Sequence, residues 1–164
     1  MRRTIAVAAA LGVLLGAAAC SDDKSTKPVT VASGTTNGTA WSLVSFHNTA
    51  GDLCLEIRDG AGKPGDGFGG GCGGWESSKP GHDEDPYVDG PGPGGSEFAF
   101  GPLGSAVATV EATAPGKQPL VAQAKPLPAK AGAAKFFVLP LPDPETTWAY
   151  TGKGADGSPE PLGL

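Results

Sequence analysis

Positive charge is scarce. Lys and Arg total 12 against 17 Asp and Glu in 164 residues, for a formal charge of -5. A nucleic-acid backbone selects basic surfaces, so that class of partner is excluded. Histidine occurs twice, at His47 and His82, and cysteine three times. There is no GxSxG elbow, and there is no HExxH, P-loop or EF-hand spacing. No 3.6-residue apolar periodicity appears after residue 20, which removes the helical bundle classes. Charged residues are 18% of the chain, too few for a charge-driven disordered protein. The length allows one domain.

Glycine and proline, by contrast, are abundant, at 27 and 16 residues. They concentrate in residues 60–104, where no helix would survive. A loop of this kind is usually functional or disordered. The expectation is a mobile Gly/Pro-rich loop over 60–95, tied down at Cys72 and Trp75.

The start of the chain has the form of an export signal. Arg2 and Arg3 precede an uncharged apolar stretch, Ile5–Ala19, which ends in Ala17-Ala18-Ala19-Cys20. A positive start, a short apolar core and small residues before the cut define a secretory signal peptide. The stretch falls short of the roughly 20 residues that a helix needs to span a bilayer. Residues 1–19 are therefore read as a cleaved signal-peptide helix.

The Ala-Ala-Ala-Cys element resembles the lipobox of bacterial lipoproteins, although Ala17 stands where most lipoboxes carry Leu. The resemblance implies that the Cys20 thiol receives a diacylglycerol and becomes the new N-terminus. Two acyl chains give stable anchoring where one does not. Loss of Arg2 and Arg3 leaves 10 basic residues against 17 acidic, so attachment must come from the lipid rather than from charge. Residues 20–38, small and polar, read as a flexible tether.

With Cys20 acylated, Cys54 and Cys72 remain. An even pair in an exported chain reads as a disulfide, worth about 3 kcal/mol in the chain-entropy view. A zinc site needs about four nitrogen or sulfur ligands, and His47 and His82 stand at no matching spacing.

From Thr39 the pattern becomes that of strands. TAWSLVSFHN is β-branched and aromatic. LCLEIRD alternates cleanly, with Leu53, Leu55 and Ile57 on one face and Cys54, Glu56 and Arg58 on the other. Short segments follow at EFAF, AVATVEA, PLVAQAKPLP, KFFVLPLP and TTWAYTG. The continuous apolar run of KFFVLPLP suits a strand covered on both faces, with Pro140 and Pro142 ending it or placing it near an edge. An all-β fold is expected over 39–164, a small β-sandwich of six or seven short strands.

The order of Trp41–Val44, Leu53–Leu55, Gly71–Gly73 and Lys135–Val138 resembles a group of small secreted or lipid-anchored proteins of GC-rich Gram-positive bacteria. The Gly/Pro insert around residues 77–95 departs from that group. The resemblance implies a fold and a compartment, and no biochemical role.

Two places carry candidate chemistry. His82, Asp83, Glu84 and Asp85 offer oxygen ligands to a hard cation, but adjacent carboxylates repel and read first as a solvated acidic loop. Trp75, beside Cys72, is the aromatic residue expected to touch a ligand or partner, whereas Trp41 and Trp148 are expected in the core. The leading expectation is a non-catalytic, lipid-anchored domain on the extracytoplasmic side of the cell membrane. It would bind an envelope protein or glycan and would need no cofactor. The alternatives are a cation-binding module through His82–Asp85, or an exported hydrolase with an unfamiliar site.

Overall fold

The computed structural model describes residues 25–60, 67–73, 75, 87–128 and 135–163. Among them the chain is all-β, with twelve strands in three four-stranded antiparallel sheets and one short 3-10 turn. The first sheet is a meander of β1 (Val29–Thr36), β2 (Thr39–His47), β3 (Leu53–Asp59) and β4 (Gly67–Cys72). The second has the order β5 (Val88–Pro91), β6 (Glu97–Leu103), β10 (Lys135–Leu141) and β9 (Lys125–Pro126). The third has the order β12 (Pro159–Glu160), β11 (Ala149–Lys153), β7 (Thr109–Thr113) and β8 (Leu120–Gln123).

The second sheet lies between the other two and is apolar on both faces. Phe98, Phe100 and Phe136 join Trp41, Leu43, Leu53, Leu55 and Ile57 in one core. Ala99, Leu103, Phe137, Leu139 and Leu141 join Val110, Ala112, Ala122 and Trp148 in the other. Adjacent residues of β6 and β10 thus enter opposite cores, as the two-residue period of a strand requires. Register matches large to small: Phe137 faces Gly101 and Leu139 faces Ala99. Phe98, Phe100, Phe136 and Phe137 are fully buried, each worth about 1.5–3 kcal/mol of transfer free energy.

Three expectations are corrected. Six or seven strands were expected, and the described residues hold twelve in three sheets. The tether expected over 20–38 is in part a strand: Val29–Thr36 pairs along β2, with a bulge between Thr30 and Ala32. Asn37 and Gly38 both have positive φ, 51° and 78°, and close the β1–β2 hairpin as an Asn-Gly turn does. An edge strand exposed on much of its surface has no need of an apolar stripe, so its composition looks like linker. The expected loop over 60–95 also contains β4, β5 and the turn Pro93–Gly95. The remainder of that stretch, 61–66, 74 and 76–86, lies outside the described residues.

Glycine serves β4 by having no side chain. A Cβ on Gly71 would sit 3.0 Å from the Trp75 ring, and one on Gly70 would sit 2.8 Å from the Leu55 carbonyl. The strand can therefore lie flat between neighbours on both of its faces.

Candidate functional site

The outer face of the first sheet, away from the core, is built in rows. Phe46, Cys54 and Cys72 form one row across β2, β3 and β4. Val44, Glu56 and Gly70 form the next, followed by Ser42, Arg58 and Gly67. Cys54 and Cys72 are bonded, with Cα atoms 4.1 Å apart, so the disulfide, on the outer face as the alternation of LCLEIRD implies, ties β4 to the edge of β3 along which it pairs. A groove of about 400 Å³ lies over this face, bounded by Phe46, the disulfide, Glu56 and the glycines of β4.

Glu56 and Arg58 stand two residues apart and so share a face of β3. Arg58 donates from Nε to Glu56 Oε1 at 2.9 Å and from Nη2 to Oε2 at 3.0 Å. Both side chains are mostly covered, 15% exposed for Glu56 and 5% for Arg58. Their fork geometry holds two charges where neither would sit alone. The carboxylate leans over β4, where a Cβ on Gly67 would fall on it. Among the described residues β4 pairs on one side only, so the floor is flat backbone with an aromatic wall at one end and an ion-paired carboxylate at the other.

A second cluster joins the second and third sheets. Tyr87 and Tyr150 pack with ring centroids 4.7 Å apart, and the Tyr150 hydroxyl donates to Asp89 at 2.6 Å. Burial, then the Asp89 carboxylate, pushes the Tyr150 phenol above its ordinary pKa. Burial also raises Glu97, helped by Asp89 and Asp143. Asp143 is held at about 2 by hydrogen bonds from Lys117, Thr146 and the Glu145 amide. The Tyr150–Asp89 bond ties the third sheet to the second.

A recess of about 310 Å³ surrounds His47 at the end of β2, together with Lys27, Ser45 and Phe46. Among the described residues that line this recess there is no carboxylate.

The sequence-derived candidates fare differently. Trp75 is 5% exposed, and its indole N–H donates to the Leu53 carbonyl at 2.8 Å. The contact expected of it is corrected: it is a core residue, buried against Gly71 of β4. Trp41 and Trp148 are core residues as expected. Cys20, His82, Asp83, Glu84 and Asp85 lie outside the described residues. Among the described residues no group of three or more His, Cys, Asp or Glu is placed to hold a metal ion.

The Glu56–Arg58 pair went unused in the sequence reading, although its two-residue spacing in a strand marks both as neighbours on one face. Asp89 and Tyr150 carry no such signal, being 61 positions apart. Comparison with family models, with curated proteins and with solved structures finds no match to this chain.

Proposed function

We propose that the chain is a lipid-anchored, extracytoplasmic β-sandwich domain that acts by binding, without catalysis, an extended envelope glycan or protein segment. The observation that carries this reading is the groove on the outer face of the first sheet. A disulfide-fixed glycine strand there leaves backbone open beside Phe46. The Arg2/Arg3 start, the Ile5–Ala19 stretch and Cys20 support export and acylation. The Cys54–Cys72 bond is in keeping with an oxidising compartment.

The test is native mass spectrometry on protein extracted in detergent from its own envelope, followed by cosedimentation with purified cell-wall glycan. A diacylglyceryl mass on Cys20 and sedimentation lost in Phe46→Ser are the expected results. An unlipidated protein in the culture fluid overturns the anchor. Binding that is absent, or unchanged by Phe46→Ser, overturns the groove.

A further inference from the structure

The chain is fixed to the fold earlier than its composition implies. The Thr26 amide donates to the His47 carbonyl at 3.1 Å, and the His47 amide donates to Thr26 Oγ1 at 2.8 Å. Only residues 21–25 separate this clamp from Cys20. Fully extended, they reach roughly 20 Å, less than the roughly 35 Å breadth of a domain this size. A domain held on so short a lead cannot turn freely above a bilayer. The end that carries Thr26 must face it.

That end is built for such a surface. The recess there is lined by Thr26, Lys27, Val29, Phe46, His47 and Pro128. Val29 is 50% exposed, one of few large apolar side chains left in solvent among the described residues. Lys27 supplies an ammonium beside this apolar lining. An apolar patch with a cation at its rim matches the headgroup region of a phospholipid layer, where aliphatic groups enter the acyl boundary and ammonium groups meet phosphate.

We infer that the end of the domain formed by Thr26–Val29 and His47 is a phospholipid-docking surface, which lies on the bilayer that holds Cys20. The inference rests on the lipid-anchor reading above. It adds an orientation: the end of the first sheet that carries Thr26 and His47 faces the membrane. The chain is acidic overall, so this contact is local and is directed by the anchor.

The experiment uses the full chain in its own membrane, with p-benzoylphenylalanine placed at position 29 or at position 121. Val121 is equally suited as a site, at 55% exposure. It lies on β8 between Leu120 and Ala122, which pack on the second core, so it faces away from that core. Irradiation is expected to give phospholipid adducts from position 29, several-fold above position 121, and Lys27→Glu is expected to reduce them. Equal yields at the two positions, or protein adducts alone from position 29, overturn the inference when the Cys20 mass shows the diacylglyceryl group. A Cys20 without that group overturns the anchor reading itself, and the docking surface with it.

Discussion

The Tyr150 hydroxyl donates to the Asp89 carboxylate at 2.6 Å, joining β11 of the third sheet to β5 of the second. Burial and this partner raise the Tyr150 pKa. An unfolded tyrosine ionises near 10, so above that pH the unfolded chain releases a proton that the folded chain keeps. The stability linked to Tyr150 is thus complete below about pH 10 and falls as pH rises beyond it. Absorbance titration is expected to show a tyrosine that ionises only as the protein unfolds. Tyr150→Phe removes that signal and lowers stability at neutral pH by about 1 kcal/mol. A Tyr150 that titrates near pH 10 in folded protein contradicts this account.

Asp143 and Glu97 lie near each other and shift in opposite directions. Asp143 is held at about 2 by Lys117 first, then Thr146 and the Glu145 amide. Its share of stability is present above the ordinary carboxylate range and is lost as pH falls toward 2. Glu97 is raised, by burial first and then by Asp89 and Asp143, so its charge opposes folding at neutral pH and protonation relieves it. Urea unfolding as a function of pH is expected to show Glu97→Gln above wild type near neutrality, with the gain fading in acid. Lys117→Ala is expected to return the Asp143 carboxyl carbon titration toward its ordinary midpoint.

Arg58 keeps its charge under cover because Glu56 meets it with both oxygens. Glu56→Ala strips those bonds from the guanidinium and is expected to cost about 3 kcal/mol. The double variant Glu56→Ala/Arg58→Met leaves no charge behind and is expected to recover most of that loss. Chemical denaturation of the four proteins measures the coupling, and additive losses would show that the two side chains act independently.

How much of this could be read from residue order depends on the element. The Leu53/Leu55/Ile57 stripe named the buried face of β3, and the unbroken KFFVLPL run marked a strand with two covered faces. Those signals are local, set by side chains a few positions apart. β1 was not legible because an exposed edge strand of Thr, Ser and Gly shares its composition with a tether. β4 was not legible because its glycines are set by what lies on either side of it, namely Glu56, Trp75 and Val88. The groove inherits that opacity: its floor is the absence of side chains. The burial of Trp75 follows from the same cause, since glycine at position 71 makes the room that its ring fills.

The Cys54–Cys72 bond closes 18 residues of separation and is expected to contribute about 3 kcal/mol. Reduction acts on the first sheet, where it frees β4 from β3. Hydrogen exchange under reducing conditions is expected to rise in residues 53–59 and 67–72 while amides around Phe137 and Val110 stay protected. Equal loss of protection in both cores would show that they open as one unit.

Phe136 and Phe137 enter opposite cores from neighbouring positions on β10. That strand follows β6 only after β7, β8 and β9, yet it pairs along the whole of β6. During synthesis or export, neither hydrophobic interior is sealed until this late segment emerges. Phe98 of β6 already packs on Trp41, and the closing strand then completes both halves at once with Phe136 and Phe137. Premature truncation anywhere before Lys135 therefore leaves two unfinished interiors, and the cell meets a sticky fragment in place of a smaller domain.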